Sequence, residues 1–224
     1  MSQANNKQIK IAIDGPAGAG KSSVAREIAR RLGFKYLDTG AMYRAITLKM
    51  IREKVDLDDP RQVEEVLNNT QLDVKEGNII LLDGEDVTAE IRKPYVNNMV
   101  SPVSAIPAVR RRLVQMQQEI AARSGGIIME GRDITTRVMP EADFKFYLDA
   151  SLMERARRRM KEQLAAGILD SLEEVAEEIR RRDRIDSQRA DSPLCVAPGA
   201  TVIDTTDLSF EEVVNGILLI IASS

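Results

Sequence analysis

The chain of 224 residues contains no histidine, no tryptophan and one cysteine, Cys195. Without histidine there can be no Ser–His or Cys–His nucleophile pair and no His-ligated metal site. A single cysteine excludes an intramolecular disulfide and a cysteine-built zinc cluster. Any acid–base chemistry therefore falls to carboxylates, Lys or Tyr. Aromatic residues are only 4% of the chain, which leaves little for stacking on nucleic-acid bases. No apolar run reaches about eighteen residues, so no membrane span is predicted. A net charge of −3 argues against a surface built throughout for nucleic acid or anionic membrane, while leaving room for a local basic cleft. No internal repeat or low-complexity segment is visible. What remains, 43% hydrophobic and 30% charged, is a soluble globular composition, long enough for one well-buried domain with a small insertion. The first residues, Met1 to Gln8, are polar and lack an apolar signal core; they predict a short loose tail and a cytoplasmic protein.

Short β-branched runs alternate with helical patterns. Ile9–Ile13 predicts a strand that stops at Asp14-Gly15-Pro16. From Lys21, Val24, Ile28 and Leu32 recur every four residues, and Gly33 ends that helix. Lys35-Tyr36-Leu37 predicts a second strand and Ala41–Glu53 a helix; Asp59-Pro60 opens another, Asp as cap and Pro at the first helical position. Residues 71–90 break the alternation. Three strand-like pieces, Leu72–Val74, Asn78–Leu82 and Glu85–Thr88, are separated by Gly77 and Asp83-Gly84, so a small antiparallel unit is inserted here. Then follow a helix over Pro107–Ala122 and strands over Gly126–Met129, Asp143–Leu148 and Thr201–Ile203. Ser151, Ser171 and Ser209 each precede a Glu by three residues, the pattern of a capping box. The last helix carries Phe210, Val213, Val214, Ile217, Leu218 and Ile221 as a core-facing stripe. The fold class is α/β, a parallel sheet flanked by helices on both faces.

Gly15-Pro16-Ala17-Gly18-Ala19-Gly20-Lys21-Ser22 matches G-x-x-x-x-G-K-[ST], the P-loop, and it lies between a predicted strand and a predicted helix. Glycines let consecutive backbone N–H groups ring an anion, and the helix start adds its positive dipole end. Lys21 places a charge near the β- and γ-phosphates; Ser22 offers a hydroxyl to Mg²⁺, and Ser23 completes the nucleotide-binding run. The loop implies a nucleoside triphosphate without saying what becomes of it. No Asn-Lys-x-Asp guanine motif is present, which lowers a GTPase reading.

Four clusters suggest a second anionic ligand. Asp38-Thr39-Gly40-Ala41-Met42-Tyr43-Arg44 brings a hydroxyl, helix-start N–H groups and a guanidinium together, although a capping Thr and a surface Arg would look the same. Ser101–Arg110 reads equally as a Pro-rich connector. Glu130-Gly131-Arg132-Asp133 ends a buried strand with charge, where α/β sheets bind ligands, unless Arg132 and Asp133 only pair with each other. Nine arginines lie between Arg155 and Arg189, with eight acids among them. The pairs Glu154–Arg158, Glu177–Arg181 and Glu178–Arg182 suit a salt-laced helix surface, yet Arg155, Arg158 and Arg159 within two turns suit a lid over phosphate.

Taken in order, Leu-Asp-Thr-Gly-Ala-Met-Tyr-Arg, the Ser101–Arg110 segment, Glu-Gly-Arg-Asp and Arg182-Asp-Arg-Ile-Asp-Ser-Gln-Arg189 resemble the bacterial cytidylate kinase family over nearly the whole chain. The inserted β unit looks like that family's extra element, which adenylate kinases lack. The resemblance implies a P-loop nucleoside monophosphate kinase domain over residues 9–224, with an inserted nucleotide-binding subdomain over about 63–102 and an Arg-rich helical lid over about 155–170. It implies transfer of the γ-phosphoryl group of ATP, with Mg²⁺, to CMP or dCMP by a monomer that binds neither nucleic acid nor membrane. It places Asp38, Thr39, Arg44, Ser101, Arg110, Arg132, Asp133, Arg182, Asp186 and Arg189 at the acceptor. Thr39, Arg44 and Arg132 would hold its phosphate, Ser101, Arg110 and Arg189 would read cytosine, and Arg182 and Asp186 would grip the ribose. Lys21, Arg132, Asp133, Arg155, Arg158 and Arg159 would serve catalysis, and Asp204-Thr205-Thr206 would lie near adenine. Thr135 stands where many members have Gly; a left-handed backbone needed there would shift Asp133.

A phosphate-monoester acceptor has a second pKa of about 6 and needs no general base at pH 7. A P-loop kinase acting on a hydroxyl would want a carboxylate base, for which Asp38 or Asp133 is available. A P-loop ATPase switch is the third reading. Asp14 and Asp133 are equally placed to hold Mg²⁺ through water.

Overall fold

The computed structural model describes residues 9–165 and 167–223; the tail Met1–Gln8 lies outside them. Five strands form the main sheet: β1 (Ile9–Asp14), β2 (Lys35–Asp38), β6 (Gly126–Gly131), β7 (Phe144–Asp149) and β8 (Thr201–Asp204), in the order β2-β6-β1-β7-β8. All four pairings are parallel. A parallel sheet must be covered on both faces, and alternation along the strands decides which residue meets which layer. Ile11, Ile13, Ile128 and Phe146 pack on α1 (Lys21–Leu32) and α8 (Phe210–Ala222). Ala12, Leu37, Ile127 and Met129 face the other way, onto α2 (Thr39–Arg52), α4 (Pro94–Ala105) and α5 (Pro107–Ala122).

Local sequence explains most ends. Gly33 takes the left-handed conformation that closes α1. Asp59 accepts from Arg61 N–H and Pro60 opens α3 (Pro60–Asn68). Complete capping boxes start α7 (Leu172–Gln188) and α8 at Ser171 and Ser209. At α6 (Leu152–Ala165) only half forms. Glu154 N–H donates to Ser151 Oγ at 3.3 Å, while the Glu154 carboxylate turns to Arg158 at 3.0 Å and Ser151 N–H finds Thr206. The α8 stripe is buried at Val213, Val214 and Ile217, but Phe210 is 44% exposed.

The inserted strands β3 (Leu72–Lys75), β4 (Ile79–Leu82) and β5 (Glu85–Asp86) form their own antiparallel sheet. Their Leu72, Ile80 and Leu82 share one core with Met42 and Leu48 of α2. The Ser101–Arg110 segment is no connector. Residues 94–105 are helical, with Pro102 inside and Val96, Val100 and Val103 buried at helical spacing. Pro102 lacks a donor and disguises the helix in sequence. Among the described residues, no helix is long and apolar enough to cross a membrane.

Candidate active site

β1 ends in Asp14, and the chain then turns into the phosphate loop. Gly15 has φ +150° and a Cβ there would stand 2.0 Å from the Leu148 carbonyl oxygen, so no side chain fits. Asp14 is fully buried, which raises its carboxyl above the usual range, and three donors hold it: Ile134 N–H, Thr135 N–H at 2.7 Å and Thr135 Oγ1 at 2.5 Å. Thr135 thus adds a bond instead of straining the turn. Among the described residues it is not a positive-φ position; 134–138 form a single π-helical turn.

One cavity of about 970 Å³ runs from this loop to the far side of the sheet's C-terminal edge. At the donor end it is lined by Ala17 to Ser23, with Arg158, Arg159, Thr205, Leu208 and Phe210. Lys21 Nζ donates to the Pro16 carbonyl at 2.7 Å, and its ammonium is pushed down to about 7, by burial first and by Arg132 beside it. Ser22 Oγ donates to Glu130 Oε1 at 2.7 Å, and Tyr36 Oη reaches the same oxygen at 3.3 Å. Burial, then Asp38, pushes Glu130 up. Arg158 donates to Glu154 and to the Thr205 hydroxyl and carbonyl; Arg159 pairs with Glu162. Glu177 pairs with Arg180 and Glu178 with Arg182.

At the acceptor end Thr39 opens α2 and donates from Oγ1 to the Glu130 carbonyl at 2.7 Å. Arg44 donates to Asn97, and burial, then Arg182, Arg92 and Arg132, pushes its guanidinium down. Arg132 donates to Asp186 at 2.9 Å, which holds it up against the cost of burial. Burial and Arg132 push Arg182 down. A crowd of like charges of this kind favours binding of an anion. Ser101 and Ser104, one turn apart on α4, line the same end with Arg189. Arg189 Nη2 lies 3.3 Å from Asp133 Oδ1, and Arg110 makes a short ion pair with Asp133. The guanidinium of Arg110 also sits 5.9 Å from the Tyr43 ring centroid. Buried donors without a hydrogen-bond partner among the described residues include Arg110 Nε, Arg182 Nε and Arg189 Nη2. Buried donors without a hydrogen bond are costly, and the neighbouring carboxylates Asp133 and Asp191 offset part of that cost through charge.

Most residues predicted from sequence therefore meet in one cavity. Gly15, Pro16, Arg110, Asp133 and Arg155 do not line it. Arg110 and Asp133 stand behind Arg189, and Arg155 is taken up by the carbonyls of Ala150 and Ala17 and by Asp183. Sequence reasoning passed over Arg92, Ser104, Asp183 and the placement of Glu130 against Ser22. Ser104 was legible as one helical turn beyond Ser101; Arg92 left no signal, because its partner Asp38 lies 54 residues away.

The cytidylate kinase family model matches residues 11–223. A cytidylate kinase of Caldanaerobacter subterraneus subsp. tengcongensis is 54% identical over 94% of this chain and 93% of its own. One from Geobacillus kaustophilus is 50% identical over 96% and 97%. A solved shikimate kinase from Acinetobacter baumannii, in complex with shikimate, is 18% identical, covers 100% of this chain and 98% of its own, and has a TM-score of 0.50, a likeness of fold alone. With the phosphate loop, the inserted sheet and the arginine-lined cavity in place, the chain belongs to the cytidylate kinase family.

Proposed function

We propose that this chain transfers the γ-phosphoryl group of ATP to CMP or dCMP, giving ADP and CDP or dCDP. The observation that carries it is the single cavity joining the phosphate loop to the arginine cluster. Two polyanions brought together repel, and Lys21, Arg44, Arg132 and Arg182 offset that repulsion where charge develops. Family membership and relatives near half identity support the same reading.

The acceptor phosphate needs no base, and the two carboxylates a hydroxyl-directed kinase would call on are engaged. Asp38 accepts from Ala41 N–H at 2.9 Å and from Arg92; against burial, Arg92 and Arg44 hold it below the carboxylate range. Asp133 is occupied by Arg110 and Arg189. A kinase acting on a hydroxyl is disfavoured on that ground. Cytosine offers acceptors at O2 and N3 and a donor at N4. The guanidinium of Arg189 and the hydroxyls of Ser101 and Ser104, which line that end of the cavity, suit that pattern, whereas uracil would leave mismatched groups.

Mg²⁺ fits this site as a nucleotide-borne ion. Among the described residues no three His, Cys, Asp or Glu side chains cluster as a cage, while the Ser22 hydroxyl and Glu130 carboxylate, already bonded to each other, stand at the loop to hold it with phosphate oxygens and water. When bound, Mg²⁺ neutralises charge on the transferring phosphates. The inserted unit (about 63–102) and the lid (about 155–170) close on the ligands and exclude water. The reading carries with it a cytoplasmic monomer without nucleic-acid or membrane partners.

The test is ADP formation from ATP and Mg²⁺ with each nucleoside monophosphate added separately. Stimulation by CMP and dCMP well above UMP is expected; acceptor-independent hydrolysis would make the chain an ATPase instead.

A further inference from the structure

The phosphate loop is held from outside by two side chains that the mechanism above leaves without a task. Ala17 presents both halves of its backbone to the α6–α7 layer. Its N–H donates to Asp183 Oδ1 at 3.1 Å, and its carbonyl accepts from Arg155 Nη1 at 3.0 Å. Arg155 and Asp183 close the circuit with a short ion pair, and Arg155 Nε is tied to the Ala150 carbonyl at 2.9 Å. The side chains are 10% and 21% exposed, so water competes weakly for these bonds. The surfaces also touch. Ala17 packs with Ala156, Val175, Ala176 and Ile179, and a Cβ on Gly18 would lie 3.0 Å from Arg155 Cβ.

Asp183 sits on α7 directly after Arg182 and one turn before Asp186, which holds Arg132 at 2.9 Å. Arg182 and Asp186 line the acceptor end of the cavity, and Ala17 lines the donor end. A helix is stiff over a single turn, because each residue is tied to the next turn by backbone hydrogen bonds. A shift of α7 that lets Arg182 and Asp186 meet an acceptor therefore carries Asp183 with them. Among the described residues, Asp183 is the one α7 side chain bonded to the phosphate loop's backbone.

We propose that Asp183 is a positioning residue that couples the two ends of the cavity: acceptor bound through Arg182 and Asp186 sets α7, and Asp183 then sets the Ala17 peptide within the donor's loop. The proposal rests on the kinase reading above. Such coupling is a free energy shared by both ligands, so each tightens the other by the same factor.

The test is calorimetric titration of a non-hydrolysable ATP analogue with Mg²⁺, with and without saturating CMP. For the unsubstituted chain, CMP is expected to tighten the analogue about 5- to 50-fold. In Asp183→Ala the factor should fall below about 2-fold, with CMP affinity measured alone changed by less than about 3-fold. Asp183→Asn, which keeps an acceptor for Ala17 N–H, should recover part of the factor. A purely structural role would weaken both ligands and leave the factor intact; that result, or an unsubstituted chain with no tightening, overturns the proposal. Should Asp183→Ala not fold, Asp183→Leu, close in shape but without an acceptor for Ala17 N–H, supplies the measurement, and an unreduced factor there is again decisive against it. CMP-stimulated ADP formation separates the two claims. Stimulation with an unchanged factor sinks the coupling alone, whereas no stimulation sinks the kinase reading and the coupling with it.

Discussion

The donor and acceptor ends of one cavity are built from different materials. Around the phosphate loop the cavity is shaped by backbone, and the exclusion of a Cβ at Gly15 helps to set its course. At the arginine-rich end side chains form the wall or stand behind it, most set against a carboxylate or amide from another element: Arg44 on Asn97, Arg92 on Asp38, Arg132 on Asp186, Arg110 and Arg189 on Asp133, while Arg182 faces Glu178 on its own helix. A loop of amides is preorganised by covalent geometry and recognises any polyphosphate. A network of paired charges is preorganised by its own ion pairs and can recognise one base, because removing a member leaves its partner buried and unpaired.

The sharpest way to break that contrast is at Lys21, the side-chain cation within the phosphate loop itself. Lys21→Met should lower kcat by about 10²- to 10³-fold while CMP binding changes little; steady-state kinetics with direct CMP titration checks it, and normal turnover would remove the lysine from the mechanism. Next is the acceptor end. Arg189→Ala or Arg110→Ala should cut kcat/KM for CMP by about 100-fold and leave ATP-analogue affinity within about 2-fold. Equal losses for both substrates would mean that the base site is misassigned.

A smaller effect is expected where the two ends share a support. Thr135→Val keeps the shape but leaves a buried Asp14 oxygen without its hydroxyl partner, so urea unfolding should show a loss of about 1–3 kcal/mol. Smallest is a proton count. Lys21, at about 7 without ligand, is mostly neutral at pH 8. Triphosphate oxygens beside it favour the charged form and raise its pKa. Donor binding at pH 8 should therefore take up about 0.5–1 proton, the uptake fading as pH falls below about 7, where Lys21 is already charged. Titration in buffers of different ionisation enthalpy reads it; Lys21→Met should abolish it, and CMP alone, bound by arginines charged throughout, should show little.

Much of the fold is legible in the chain. The alternation of strand and helix, the Asp59-Pro60 start, the boxes at Ser171 and Ser209 and the phosphate loop all depend on residues a few places apart. α4 was hidden because Pro102 argues against a helix that the buried Val96, Val100 and Val103 stripe nonetheless supports. The half-formed box at Ser151 shows the same limit, since Glu154 had a better partner in Arg158.

Sequence alone determined the donor loop and the succession of elements, because amide geometry, caps and periodicity act over a turn or a strand. The pairs Glu154–Arg158 and Glu178–Arg182 were legible as neighbours on one helix, but the carboxylates that arginines face across elements were decided only by the tertiary structure. Arg92 meets Asp38 across 54 residues, Arg132 meets Asp186 across 54, and Ala17 meets Asp183 across 166. Charge acts through space with no preference for sequence distance, so nothing short of the folded chain selects among so many acids and arginines.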